Sequence, residues 1–352
     1  MVHARSRNAK WVAARESQTE KAQDIEPCIR AIFEHNDRAD YNEEFWYYNR
    51  SIVQGDGLRR LIREIADDFA LAGVDPAGKI VLDAGCGYGI RALIIRLMGA
   101  AEVRAIDILP HRIETLKRIL GLFPQFDNVH PTLGDVSHTG YPDASVDLVF
   151  SNEAISHYPD VPGFLKESAR ILKPGGTLFI SDCNNGANPW QVVESLRLWS
   201  RFEKGPPGVI GRNKVETPMR VLRERMIREY APNLANEQVH QLVVGTFGYR
   251  ASEIHAATDR YRATGQLPTS YYRPGVVPTW PDRGYVIEDL VVPWRLLRQF
   301  RRVGLTGRVY SHVGGSNGRP LIRALNRAVQ LASPLTWPIA RALKIVAHKP
   351  RA

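Results

Sequence analysis

Three glycines at alternate positions, Gly85, Gly87 and Gly89, follow Asp83 in the segment Lys79-Ile80-Val81-Leu82-Asp83-Ala84-Gly85-Cys86-Gly87-Tyr88-Gly89. Glycine has no Cβ, so it turns the chain through positive φ and lets a ligand lie against the backbone. The spacing restricts which ligand that is. A dinucleotide site asks for G-x-G-x-x-G, and counted from Gly85 the third position of that pattern is Ile90. Further on, Asp107, Asp135 and the pair Glu153 and His157 each stand at or just after a short apolar run. Strand ends of this kind place carboxylates along one edge of a sheet, which is where open α/β folds bind ligands.

The D-x-G-x-G-x-G pattern at 83–89 resembles the first motif of the Rossmann-like, class I S-adenosylmethionine-dependent methyltransferases. Ser151-Asn152-Glu153-Ala154-Ile155-Ser156-His157-Tyr158 is similar to the corresponding segment of the small-molecule branch (methyltransferase domains 11 and 25), sterol, tocopherol and cyclopropane-forming enzymes included. The resemblance implies S-adenosyl-L-methionine as cofactor. It assigns Gly85, Cys86, Gly87 and Gly89 to the backbone that meets the methionine and ribose portions. Asp83 would hold the methionine ammonium, directly or through water. Asp107, followed by Ile108, would accept both ribose hydroxyls, since an ionised carboxylate takes several hydrogen bonds. Asp135 and Val136 stand where the family contacts the adenine amino group, and Asn152 closes the set after the fourth strand.

Methyl transfer is a displacement on an already activated sulfonium. Position and in-line geometry supply most of the rate, and a base is needed only when the nucleophile must lose a proton. His157 is the first candidate for that base and Glu153 the second. The plainer alternative is that His157 only bonds a neighbouring loop. Nothing resembles the Asn-Pro-Pro-Tyr type motif of adenine or glutamine N-methyltransferases, and no Pro-Cys pair marks a cytosine enzyme. Asp182-Cys183-Asn184-Asn185 comes near the Asp-Asn pair of metal-assisted enzymes without matching it, so no metal is expected.

A sheet must hold these residues. Apolar runs ending at Asp83 and over 102–107, 128–132, 146–151 and 177–182 alternate with helical patterns at 111–122 and 161–172, as in a parallel α/β fold. Lys173-Pro174-Gly175-Gly176 stops the second of those helices. Upstream, 1–24 reads as a mobile polar arm and 24–33 as a short helix. Residues 41–48 are dense in aromatics, which either pack under the core or, in a methyltransferase arm, close over the substrate. Gly55 to Leu71 reads as an amphipathic helix with Leu58, Leu61, Ile62, Ile65 and Phe69 on one face.

The alternation then breaks. Helical stretches near 191–203, 216–230, 235–246 and 250–264 precede a loop at 267–285 rich in Pro, Tyr and Trp. A helix at 293–303, a strand-like run at 307–313, a helix at 320–331 and a final run at 342–348 follow. By the resemblance, the last elements complete the first domain. The expected fold class is α/β: a doubly wound, mainly parallel, seven-stranded Rossmann-like sheet with its last strand antiparallel, plus a large, mainly helical insertion. The expected organisation is an arm with an aromatic segment at 1–50, the core at 51–185 and 290–350, and a substrate lid at 186–289. Trp190, Trp199, Phe202, Tyr271, Tyr272 and Trp280 in that lid suit an apolar or sugar-like acceptor.

The chain of 352 residues carries a formal charge of +10, placed unevenly. From Gly186 onward 26 Lys and Arg stand against 11 Asp and Glu, and from Leu290 to Ala352 there is no acid. Such a field favours an anionic partner: an acidic small or lipid-like acceptor, the surface of a membrane, or, less favoured, nucleic acid. An RNA methyltransferase using this basic region and a non-catalytic cofactor-binding protein are the alternatives to the small-molecule enzyme. Three scattered cysteines fit a reducing compartment, and no apolar run approaches the roughly 18 residues of a membrane span. Met1 to Lys10 is basic but no apolar run follows, against a secretory leader, while a first acid only at Glu16 leaves a transit peptide open. A cytoplasmic protein is expected, with peripheral contact to a membrane.

Overall fold

The computed structural model describes residues 24–34, 41–210, 213–273, 275–314 and 320–351; the polar arm read over 1–24 lies outside them but for Asp24. They fall into two units, one comprising the chain up to Ile155, Asp160–Cys183 and Pro293 onward, the other Ser156–Pro159 and Asn184–Val292. No helix of the described residues is long and apolar enough to cross a membrane.

The first unit opens with helices α1 (24–34), α2 (Glu43–Val53) and α3 (Gly57–Ala72). Then come β1 (Ile80–Ala84), α4 (Ile90–Leu97), β2 (Glu102–Asp107), α5 (Pro110–Leu122), β3 (Val129–Leu133), β4 (Val146–Asn152), α6 (Val161–Ile171) and β5 (Leu172–Asp182). The second unit holds α7 (Pro189–Lys204), the strands β6 (Gly208–Ile210) and β7 (Asn213–Val215), and α8 (Met219–Tyr230), α9 (Asn236–Gly245) and α10 (Ala251–Thr264). α11 (Pro293–Arg302), β8 (Thr306–His312), α12 (Pro320–Leu331) and β9 (Ala342–His348) return to the first.

Seven strands pair in the order β3-β2-β1-β4-β5-β9-β8. All pairs are parallel except those of β9, which runs antiparallel to β5 and β8 on either side. This is the sheet expected from the sequence. The central strands are buried on both faces, so their apolar residues are consecutive and do not alternate: Leu148, Val149 and Phe150 in β4, and Leu178, Phe179 and Ile180 in β5. α4 is apolar nearly all round because it is buried nearly all round. α3 lays Leu58, Leu61, Ile62, Ile65 and Phe69 into the core, and the Phe69 ring lies 5.6 Å from Phe150, itself stacked on Phe179 at 5.5 Å. Ile25, Ile29, Ile32 and Phe45 are buried in the same core, so α1 and α2 are packed elements of this unit.

Two details differ from the sequence reading. β5 begins at Leu172, where α6 ends, and carries Pro174 and Gly175 within it beside a register irregularity against β4. The hairpin β6–β7 has three residues in each strand, too few for a periodic signal.

A buried charge network ties β9 to α3. Lys344, 3% exposed, puts its Nζ 2.9 Å from Asp68 Oδ1, which is equally buried, and 3.6 Å from Glu64. In the second unit Arg223, also buried, forms a two-pronged pair with Glu203 and donates from Nε to the Val243 carbonyl at 3.3 Å.

Candidate active site

The glycine loop joins the end of β1 to α4 and is fastened to β2. The Gly85 and Cys86 N–H groups both donate to the Ile106 carbonyl, at 2.9 and 3.0 Å, and the Gly87 N–H donates to Asp107 Oδ2 at 2.9 Å. The three glycines have φ of 72°, 56° and 79°. Their reasons differ. A Cβ on Gly89 would lie 2.5 Å from Leu116, so this glycine serves the packing of α4 on α5. A Cβ on Gly87 would meet nothing within 4 Å, so this position leaves an open face along the loop.

Asp107 is 6% exposed and does two jobs with its backbone contacts. While Oδ2 receives Gly87, Oδ1 receives the Leu109 N–H at 3.0 Å, so one carboxylate holds the loop and starts α5. A carboxylate offers about four acceptor positions. Two remain for a ligand. Asp135 is also engaged locally: its Oδ1 accepts from the Ser137 N–H and hydroxyl at 2.9 and 2.7 Å. Val136 is buried next to it, while Ile108 and Cys86 are half-buried. Burial raises the Cys86 thiol well above its ordinary range, which makes it unreactive.

Among the described residues, two buried oxygens lack a partner at the carboxyl edge of this sheet, Asp83 Oδ2 in β1 and Asn152 Oδ1 in β4. An unsatisfied buried acceptor costs free energy unless a ligand supplies a donor. Burial, with the Asp107 charge added, pushes the Asp83 carboxyl up to about 7 against the opposing pull of Arg91. A bound ammonium would favour the ionised form, so binding should release about half a proton at pH 7. Affinity for S-adenosylhomocysteine should then weaken as pH falls below 7, level off above it, and lose this dependence in Asp83→Asn. Calorimetry in two buffers of different ionisation enthalpy reads the proton directly; no release, or uptake, would remove the cation from Asp83.

α2 borders the same loop, a feature with no signal at the level of sequence motifs. Asn42 caps α2 through the Phe45 N–H at 2.8 Å and accepts from the Tyr88 hydroxyl at 3.0 Å. The Phe45 ring meets Tyr88 edge-on at 5.2 Å. Glu44 pairs with Arg112 at 2.6 Å and with His111 at 3.0 Å, at the start of α5. Burial would raise the Glu44 carboxyl, but Arg112 and His111 outweigh it and hold the pKa below its ordinary value. Of the aromatic segment, Tyr41 and Phe45 are buried whereas Tyr47 and Tyr48 are exposed.

Glu153 follows β4 with φ of 50°, a strained region for a residue with a Cβ, and its N–H donates to the Ser181 carbonyl at 2.8 Å. Its carboxylate, Asp182 and the Cys183 thiol have ligand atoms within 4.8 Å of one another. Burial and the Asp182 charge raise the Glu153 pKa, as expected when two carboxylates compete for one proton. His157 belongs to the second unit. There its Nδ1 lies 3.1 Å from the Val286 carbonyl and its ring stands edge-on to Tyr285 at 5.8 Å. Since a carbonyl only accepts, Nδ1 is the donor in that bond and Nε2 is the ring nitrogen left outside it.

Residues 82–180 match a family model described as a methyltransferase domain. Curated relatives include the malonyl-[acyl-carrier protein] O-methyltransferase of Serratia marcescens, 28% identical over 44% of this chain and 60% of its own length. A 2-methyl-6-phytyl-1,4-hydroquinone methyltransferase of Synechocystis is 38% identical over 31% of this chain and 33% of its own. A ubiquinone biosynthesis O-methyltransferase of Xanthomonas oryzae is 37% identical over 33% of this chain and 48% of its own. The aligned part thus spans 60% of the first relative and less of the other two. The matched stretch lies within a sheet whose order is the one expected above for the class I S-adenosylmethionine-dependent methyltransferases. The site fits that cofactor: an unpartnered buried acid, spare acceptor positions on Asp107 and an open face at Gly87 lie around one loop.

Proposed function

We propose that this protein transfers a methyl group from S-adenosylmethionine to a small, lipid-like, anionic acceptor. The observation that carries the cofactor half is the buried, unpartnered Asp83 Oδ2 beside the glycine loop. Asp83 holds the ammonium, Asp107 the ribose hydroxyls, Asp135 and Val136 the adenine, and Gly85, Cys86, Gly87 and Gly89 the remainder, with Ile108 and Asn152 at the margins. When bound, the cofactor supplies a methyl group already activated on a sulfonium. Where the acceptor must lose a proton, His157 Nε2 takes it, with Glu153 as second candidate.

For the acceptor, the support comes from residues 186–289 and from the relatives' names, which denote a carrier-bound acid and two quinone-pathway methyltransferases. Within the second unit a cavity of about 490 Å³ is walled by Val243, Phe247, Tyr271 and Tyr272 and edged by Lys204 and Arg220. Arg223 and Arg228 in the same wall are already paired, with Glu203 and Glu224. Lys204 lies 4.5 Å from the Tyr272 ring centroid and no carboxylate pairs with it or with Arg220 among the described residues. An acidic group on an apolar body suits that lining. The acid-free stretch from 290 suits peripheral contact with an anionic membrane better than RNA, because no base-recognition motif accompanies it.

The test is incubation of the protein with cell extract and methyl-labelled cofactor, followed by mass spectrometry. Label should enter a small acidic or lipid product. The double variant Lys204→Glu/Arg220→Glu should raise KM for that acceptor at least tenfold with S-adenosylhomocysteine binding unchanged. Label found in RNA alone would overturn the acceptor, and no transfer with intact cofactor binding would leave a binding protein.

A further inference from the structure

α12 leaves an apolar face in solvent. At about 100° per residue, Leu321, Ala324, Leu325, Ala328 and Ala332 share one face, and all five are exposed, Leu321 by 81% and Leu325 by 50%. Leu331 at 83%, Leu335 at 86% and Ile339 at 71% continue the apolar surface through the following turns. The inward side buries Asn326 and Val329. Asn326, 2% exposed, accepts from the Val313 N–H at 2.9 Å, and the Ser333 hydroxyl accepts from the Ser311 N–H at 2.8 Å. Thr336 donates to the Val329 carbonyl at 2.8 Å, and the Trp337 indole N–H donates to Val309 at 3.2 Å. β8 and the residue after it therefore grip this segment through polar groups of its inner side, and five bulky apolar side chains are held out into water.

We propose that this stripe docks the protein on an anionic lipid bilayer, with the apolar side chains entering the boundary between headgroups and acyl chains. Isolated exposed leucines are ordinary, but a contiguous stripe on a fastened helix marks an interaction surface. Charge chooses the occupant. Arg327 is exposed on the flank of the stripe, where a long cationic side chain reaches headgroups while its stem stays in apolar surroundings. The whole stretch from Leu290 to Ala352 has no acid to repel such a surface. A second copy is a poorer occupant, since pairing through the stripe would bring two acid-free basic stretches together.

The inference rests on reading the basic stretch as membrane-facing, and adds that apolar insertion, not charge alone, holds the contact. The full chain is floated with vesicles of phosphatidylcholine containing a quarter phosphatidylglycerol, and with phosphatidylcholine alone, at physiological salt and at high salt. The wild type should float with the anionic vesicles at physiological salt. Leu321→Gln/Leu325→Gln/Leu331→Gln should bind at least tenfold more weakly there while binding S-adenosylhomocysteine normally, which reports an intact fold. Leu325→Trp should show a blue-shifted emission on adding the vesicles. Salt-sensitive flotation that persists in the triple variant would leave the charged contact standing and overturn the stripe. No flotation of the wild type would overturn both. A stable dimer that the triple variant dissociates would give the stripe to a second copy and overturn the bilayer.

Discussion

Asp107→Ala should weaken S-adenosylhomocysteine binding by roughly a hundredfold or more, measured by calorimetry. Two hydrogen bonds from ribose hydroxyls to a buried carboxylate contribute about 1.5–3 kcal/mol each. The same substitution strips the acceptor from the Gly87 and Leu109 N–H groups, so the loop loses its anchor as well as its ligand. Asp107→Asn separates the two effects. The amide keeps one acceptor oxygen and the shape of the side chain, so it retains one of the two backbone anchors and should melt nearer wild type than Asp107→Ala while binding remains impaired. Asp107→Ala binding within tenfold of wild type would take the ribose away from this residue.

Lys344→Met should cost about 3–5 kcal/mol of stability, because it leaves the Asp68 carboxylate buried without its cation. The loss belongs to the broken pair more than to the lysine. Replacing both partners, Asp68→Leu with Lys344→Met, should therefore recover much of it, since apolar groups of similar volume carry no desolvation penalty. Urea unfolding of the four proteins gives the coupling. A single Lys344→Met variant within about 1 kcal/mol of wild type would mean that Asp68 takes up a proton at little cost.

Much of the first unit was legible because its strands are buried on both faces. Their consecutive Val, Leu, Ile and Phe residues, closed by Asp83, Asp107 and Asn152, mark strand ends without any alternation to decipher. The glycine loop was legible because its spacing is local. What escaped was set by distance along the chain. The contacts of Asn42 with Tyr88, and of Glu44 with His111 and Arg112, join residues 46 to 68 positions apart. No periodicity announces them. Asp107 was readable as an acid at a strand end, but not as the clasp of the Gly87 N–H. The outward apolar face of α12 was also hidden: its pattern predicts a helix, and only the bonds of Asn326, Ser333 and Thr336 to their neighbours show which side β8 holds.

The position of β9 bears on how the chain is made. It lies between β5 and β8 and follows both in sequence, with Thr177 paired to His348, so β5 has one open edge and β8 no partner strand until this strand has been synthesised. During translation β1 to β5 can assemble as a parallel sheet whose β5 edge stays open while more than 150 residues emerge. An exposed, apolar edge is an invitation to pair with another nascent chain. On a polysome, where copies of this protein lengthen side by side, the interval before β9 leaves the ribosome is the time of greatest exposure to chaperones and to aggregation alike. A ribosome stalled just short of Ala342 would hold a half-built sheet with its next strand missing.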